Sequence, residues 1–159
     1  MSGQNVVELK TGGARVIDAP TINITRGLYD LWLLGKGGDA MPRRRALSIG
    51  HLGELMPFVY VYDVLEGGAD FRVRFMGSSI VHSLGRDYTG VCMSDNAEHK
   101  ANWRADVYRE VCATLSPFFS QVSLDDFDRG HVLTESIILP LADNDGDFNM
   151  LICAAGLVP

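Results

Sequence analysis

The sequence of 159 residues contains few cysteines and no long apolar run. Its three cysteines, Cys92, Cys112 and Cys153, are an odd number without paired spacing, which argues against a disulfide framework and indicates a reducing compartment. No apolar stretch reaches the roughly 18–20 residues that a membrane helix needs. The first residues lack the charged start and apolar core of a signal peptide. Together these absences predict a cytoplasmic protein.

Positive charge is also scarce. The chain has 14 Lys and Arg against 20 Asp and Glu, which gives a formal net charge of −6. Nucleic-acid binders gain much of their affinity by neutralising phosphates, so this balance disfavours such a function. The single basic cluster is the arginine run at 43–45. Because nothing adjacent in the sequence extends it, we interpret it as a solvated loop rather than a binding patch.

Motifs of enzymes and metal sites are missing as well. The sequence has no G-x-S-x-G elbow, no P-loop and no dinucleotide-binding glycine fingerprint. No two His, Cys or Asp residues show the spacing of metal ligands. The acidic run at 125–128 lacks the spaced ligands of a calcium loop and is typical of a hairpin turn. We therefore predict a protein that is not an enzyme and that holds no metal.

What is present is the pattern of a single α+β domain. Five β-branched and aromatic runs predict strands over 58–65, 71–76, 118–124, 131–141 and 148–155. Helical spacing predicts helices from Asn23 to about Gly37, over 49–55, over 78–84 and over 96–115. Asn23 or Thr25 is the expected N-cap of the first helix. Strands that come in hairpins predict one five-stranded antiparallel sheet with helices on one face, plus an N-terminal flanking helix.

The predicted domain organisation follows from this order of elements. Residues 1–22 show no sustained period and are expected to form a flexible N-terminal arm, although residues 16 and 17 could still pair as a short strand. Residues 23–159 form a single domain that includes the first helix.

Several short sequence motifs resemble those of the PAS domain, and in particular those of a bacterial family of small stand-alone PAS-domain proteins of unknown function. They include Leu-Tyr-Asp-Leu-Trp at 28–32, Tyr-Asp-Val at 62–64 and Phe-Arg-Val-Arg-Phe-Met-Gly at 71–77. The most specific is Gly-Arg-Asp-Tyr-Thr-Gly at 85–90. The resemblance runs from about residue 28 to 155 and implies the PAS fold with a sensory or interaction role. It implies no reaction and no particular ligand.

The sequence identifies no cofactor. Flavin-binding light sensors of the LOV type carry a reactive cysteine in a motif similar to Gly-Arg-Asn-Cys. The position that matches this cysteine is occupied here by Tyr88. Haem-binding PAS domains use an axial histidine on the long helix, where this sequence has His99 between charged neighbours. We interpret His99 as part of a solvated face rather than as a haem ligand.

The resemblance places a small-molecule pocket between the sheet and the helices. The candidate pocket residues are aromatic side chains and one charge within an apolar strand, namely Tyr60, Tyr62, Phe75, Trp103, Tyr108, Phe119 and Glu135. Aromatic residues at these spacings are also typical of a core. Glu135 could instead face water or pair with Arg74 across the sheet.

Two functions stay open. The first is a sensory domain that binds a small molecule and signals through a separate partner, since the sequence contains no kinase, cyclase or DNA-binding segment. The second is a ligand-free interaction module that forms a homodimer through the first helix or through the outer face of the sheet. The candidate interface residues for that second function are Leu28, Leu31 and Trp32.

Overall fold

The computed structural model describes residues 14–95, 102–126 and 130–159. Its centre is one six-stranded antiparallel sheet with the strand order β1-β4-β5-β6-β2-β3. The strands are β1 (Ala14–Val16), β2 (Val59–Leu65), β3 (Asp70–Met76), β4 (Phe118–Asp126), β5 (Gly130–Ala142) and β6 (Phe148–Leu157). The α-helices are α1 (Asn23–Lys36), α2 (Ile49–Leu52), α3 (Ser78–Leu84) and α4 (Asn102–Thr114). The predicted α+β fold with an antiparallel sheet is confirmed.

The sixth strand, β1, comes from the segment that we predicted to be a flexible arm. Ala14–Val16 pairs with β4, and the Arg15 guanidinium donates a hydrogen bond of 2.9 Å to Gln121 Oε1. Residues 14–22 are therefore tied to the sheet, whereas residues 1–13 lie outside the described ranges. No helix of the described residues has both the length and the apolar character needed to cross a bilayer.

Both faces of the sheet are buried. Successive side chains of a strand point to opposite faces, and β5 and β6 are apolar at most positions, so they present apolar side chains on both faces. We call the face under α4 the inner face and the face under α1 the outer face. The inner face buries Ile138 and Leu151 against Val107 of α4. The outer face buries Ile137 and Ile152, which are the sequence neighbours of Ile138 in β5 and of Leu151 in β6. Each face thus has its own apolar core.

Helix α1 covers the outer face through residues one turn apart. Leu28 and Trp32 are almost fully buried there, and Trp32 Nε1 donates a hydrogen bond of 2.8 Å to the Pro140 carbonyl. The predicted N-caps were wrong, because Ile22 occupies that position and makes no side-chain cap. Glu135 of β5 instead accepts hydrogen bonds from the backbone nitrogens of Thr21 and Ile22, directly before the first helical residue.

A β-bulge interrupts the pairing of β2 with β3. Val61 pairs with Phe75 but Tyr62 pairs with Val73, so Arg74 is an extra residue in β3. A bulge changes the direction in which the following side chains point. Here Arg74 reaches Asp63 on the outer face, and Phe75 also packs into the outer core. Without the extra residue, the alternation from Phe71 and Val73 would place Phe75 on the inner face.

The turn at 85–90 has a clear local cause. Gly85 ends α3 in the left-handed conformation, with φ of 84°. Asp87 then accepts hydrogen bonds of 2.9 Å and 2.6 Å from the backbone nitrogen and the hydroxyl of Thr89. Gly90 has φ of 88° and donates a backbone hydrogen bond of 2.7 Å to Val73. The turn therefore directs the chain back along the free edge of β3, which is the last strand of the sheet.

Candidate functional site on the inner face

The predicted pocket residues do not all lie on one face of the sheet. Tyr60, Tyr62 and Tyr108 meet on the inner face. Phe75 and Phe119 pack on the outer face. Trp103 lies on α4, but its side chain is outside the described part of the structure. The bulge in β3 accounts for Phe75, and alternation along β4 accounts for Phe119, because its neighbour Phe118 faces inward.

The inner face carries a compact aromatic cluster. The ring of Tyr108 lies 4.9 Å from that of Tyr62 and 5.4 Å from that of Phe71, measured between centroids. Tyr60 meets Tyr62 edge-on at 5.9 Å. These four side chains, Tyr60, Tyr62, Phe71 and Tyr108, are what we call the aromatic cluster. Sequence reasoning missed Phe71, although its alternation with Val73 was a signal for the same face.

A pair of hydroxyls stands farther along the same face. Ser120 of β4 and Ser136 of β5 are cross-strand partners, and their Oγ atoms lie 3.1 Å apart. Ser120 is buried. Both serines lie on the inner face, because Phe118 and Ile138, two residues away in the same strands, belong to the inner core. An apolar wall with a few polar groups is the usual composition of a small-molecule site.

Glu135 lies on the opposite, outer face and has a structural role there. Its carboxylate is fully buried and accepts hydrogen bonds from the backbone nitrogens of Thr21 and Ile22, at 2.9 Å and 3.2 Å. The Thr21 hydroxyl at 2.5 Å, the Thr25 hydroxyl and Gln121 Nε2 at 2.9 Å complete its partners. Glu135 therefore neither faces water nor pairs with Arg74.

The surroundings of Glu135 hold it in the charged form. Burial opposes ionisation, but hydrogen bonds from Thr21, Thr25 and Gln121 outweigh that effect and lower the pKa of Glu135 to about 2. The negative charge also lies at the N-terminus of α1, where the helix dipole favours it. The carboxylate thus fixes the start of α1 to β5.

The candidate interface residues on α1 are mostly unavailable to a partner. Leu28 is fully buried and Trp32 nearly so, and Leu31 packs partly against the same core. The exposed apolar residues of this helix are instead Leu33 and Leu34, whose surfaces are 40% and 80% accessible. The helix periodicity was predicted correctly, but the sequence did not show that its apolar stripe would be used by its own sheet.

Groups that could hold a metal or react with a cofactor are dispersed. Among the residues that the structure describes, no three His, Cys, Asp or Glu side chains cluster in a way that could hold a metal ion. His99 lies outside those residues. Burial raises the pKa of the Cys112 thiol. Tyr88, at the position of the LOV-type cysteine, has the Arg86 guanidinium 4.6 Å from its ring centroid.

The sequence matches a known family, and the fold matches solved structures. A family model described as PAS domain matches residues 21–155, and the chain therefore belongs to the PAS domain family. PAS domains are sensory and signalling modules that typically catalyse no reaction of their own. No curated protein matches the chain in sequence.

Solved structures show the same fold at low sequence identity. An RNA-binding light-oxygen-voltage receptor is 16% identical over 91% of this chain and 38% of its own, with a TM-score of 0.52. The PAS domain of Bordetella pertussis BvgS is 16% identical over 84% of this chain and 88% of its own, with a TM-score of 0.43. The first of these similarities shows the fold alone, and the second is too distant to add to it.

Proposed function

We propose that this PAS domain is a sensor that binds a small molecule between the inner face of the sheet and α4, and that it signals through a separate protein. The observation that supports the proposal best is the aromatic cluster. Strands β2 and β3 and helix α4 bring three tyrosines and Phe71 together, with centroid distances of 4.9–5.9 Å, where the family's pocket is expected. The serine pair adds a polar anchor on the same face.

The expected ligand is a small, largely apolar molecule with at least one hydrogen-bonding group. The aromatic cluster supplies an apolar wall, and Ser120 and Ser136 can each donate and accept hydrogen bonds. We propose that the ligand is held without a covalent bond, because Tyr88 occupies the position of the thiol that LOV-type sensors use.

Native mass spectrometry of the protein purified from its own host tests the proposal. A co-purifying mass is expected in the wild-type protein and is lost in Tyr108→Leu, which removes one wall of the cluster. Tyr29→Leu is the matched control, because Tyr29 packs on the outer face against Trp32 and Phe119. A protein that carries no extra mass and is not stabilised by any compound of a metabolite library would show that the cluster is only core.

A second function, self-association, is favoured by the exposed leucines of α1. Leu34 is 80% accessible and lies beside Leu33, on the side of the helix away from the sheet. We expect a homodimer that Leu34→Glu converts to a monomer in light scattering. Leu157→Glu is the control, since Leu157 is also exposed but lies at the end of β6. A wild-type monomer at high concentration contradicts this second function.

A further inference from the structure

A groove opens on the outer face, on the opposite side of the sheet from the aromatic cluster. It has a volume of about 750 Å³ and is bounded by the segment from Arg44 to Leu52 on one side and by β2, β3 and β6 on the other. The strands contribute an apolar floor made of Val61, Met150 and Ile152. A smaller depression of about 290 Å³ adjoins it and shares Arg44, Arg74 and Met150 as lining residues.

The charges of this groove are unlike those of the rest of the chain. Its two parts are lined by four arginines, Arg44, Arg45, Arg72 and Arg74, against two aspartates, Asp63 and Asp143. The whole chain carries a formal charge of −6, so the local excess of positive charge is an exception. The four arginines come from two segments that are distant in sequence.

The arginines retain unused hydrogen-bond donors. Asp63 is shared between Arg74 at 2.8 Å and Arg72 at 3.3 Å, so one carboxylate serves two guanidinium groups with five N–H donors each. Within the described ranges, Arg44 forms no ion pair. Arg72 and Arg74 keep 46% and 38% of their side-chain surface accessible. An incoming anion therefore finds donors that are already held in place by Asp63.

The bulge in β3 is what combines charge and apolar surface here. Because Arg74 is the extra residue, it and Phe75 both line the groove, although they are neighbours in a strand. A head group bound by Arg74 would thus lie next to an apolar body resting on Phe75 and Val61. The volume of the groove falls in the range of small-molecule sites, about 300–1,000 Å³.

We propose that this groove, which we call the outer groove, binds a small anionic amphiphile. Arg44 and Arg74 hold a carboxylate or phosphate head group, since a guanidinium can bind either one through two parallel hydrogen bonds. The aliphatic or aromatic body lies over Val61, Phe75 and Met150. This site is independent of the inner-face site proposed above.

Titration calorimetry of the full chain with octanoate, octyl phosphate and octanol tests the outer groove. The three probes share one apolar tail and differ in the head group, and each is used below the concentration at which it aggregates. We expect at least one of the two anions to bind at least about 10-fold more tightly than octanol, with an affinity that falls as NaCl is raised. The order of octanoate and octyl phosphate identifies the preferred head group.

Substitutions then locate the binding. Arg44→Gln and Arg74→Gln are each expected to weaken the anion by about 10-fold. Arg86→Gln makes the same change of charge outside the groove and should leave the affinity unchanged. In amide NMR spectra of the labelled chain, octanoate should shift the signals of Val61, Met150 and Ile152.

The proposal is overturned if neither anion binds, if octanol binds equally well, or if the affinity is unchanged in both groove variants. Circular dichroism of each variant establishes that it is folded before the titration. Loss of binding in Tyr108→Leu but not in Arg44→Gln would assign the amphiphile to the inner face and also reject the outer groove.

Discussion

Replacing Glu135 by Gln gives the sharpest prediction about how the domain is held together. The carboxylate only accepts hydrogen bonds, and all five of its partner groups are donors. A glutamine at this position has one accepting oxygen in place of two, and of the five partner groups only the Thr21 and Thr25 hydroxyls can turn to accept from its NH₂. The change therefore removes the buried charge and leaves donors at the start of α1 without an acceptor.

The magnitude follows from the pKa. Folding lowers the pKa of Glu135 from 4.5 to about 2. At about 1.4 kcal/mol per pKa unit, the folded state gains about 3 kcal/mol from the charged form near neutral pH. We expect Glu135→Gln to lower the free energy of unfolding at pH 7 by at least that amount. With an m-value of about 2 kcal/mol/M, the urea midpoint falls by about 1.5 M.

The dependence on pH distinguishes the charge from simple packing. Because the folded pKa is depressed, the stabilisation is complete above about pH 5 and is lost as the pH falls from 4.5 towards 2. The difference in unfolding free energy between wild type and Glu135→Gln should therefore shrink over that interval. Other carboxylates, such as Asp143, titrate in both proteins and cancel in the difference.

Urea unfolding followed by circular dichroism at pH 7, 4.5, 3 and 2.5 measures this difference. Glu54→Gln is the matched control, because Glu54 is exposed and the same charge is removed. A Glu135→Gln protein within about 0.5 kcal/mol of wild type at pH 7, as surface changes are, would refute the anchoring role. A large difference that stays constant down to pH 2.5 would refute the role of the charge.

Three further predictions concern packing and reactivity. Gly77→Ala places a methyl group 2.2 Å from a backbone carbonyl oxygen, so we expect it to lower the free energy of unfolding in urea by at least about 2 kcal/mol. Gly50→Ala is the control, because Gly50 has open space around it and the change should not lower that free energy. Trp32→Phe removes the hydrogen bond to the Pro140 carbonyl and should cost about 1–3 kcal/mol in the same assay, where a cost below about 0.5 kcal/mol would contradict it. Cys112 should react with iodoacetamide at pH 8 more slowly in the folded than in the urea-unfolded chain, because burial raises the pKa of its thiol. Peptide mass spectrometry measures the two rates, and equal rates would contradict the protection of the thiol by burial.

Local patterns were sufficient to predict most of the elements. The helix at Asn23–Lys36 and the strand at Val59–Leu65 agree with their sequence signals to within one residue. These signals are periodicity and turn residues, which act within a few positions of the chain. The long helix was predicted from residue 96, and positions 96–101 lie outside the described part of the structure.

The composition of the site was harder to predict, because it depends on which face each strand residue occupies. One extra residue at Arg74 reverses the side on which Phe75 lies, and nothing in the local sequence marks a bulge there. Glu135 stood out as the only charge within its strand, but it was assigned to the pocket, and the structure places it on the outer face against the start of α1. Its partners, Thr21 and Thr25, are more than 100 positions away, so no local pattern could reveal them.

The arginine run at 43–45 shows the same limit. It was interpreted as a solvated loop because no neighbouring residue extends it, and all three arginines are exposed in the structure. The structure places Arg44 in the outer groove together with Arg72 and Arg74, which β3 carries to it. A charge cluster built by tertiary contacts has no signature in a window of sequence.

The turn at 85–90 has a consequence for how the protein behaves at high concentration. An edge strand with free N–H and C=O groups is a template on which another chain can add a strand. Here the amide of Val73 donates to Val91 at 3.0 Å and its carbonyl accepts from Gly90, so the middle of β3 is already occupied. The turn that most resembles the family therefore occupies the edge groups of Val73, which another strand would otherwise need. Damage to the turn should therefore appear as aggregation during expression.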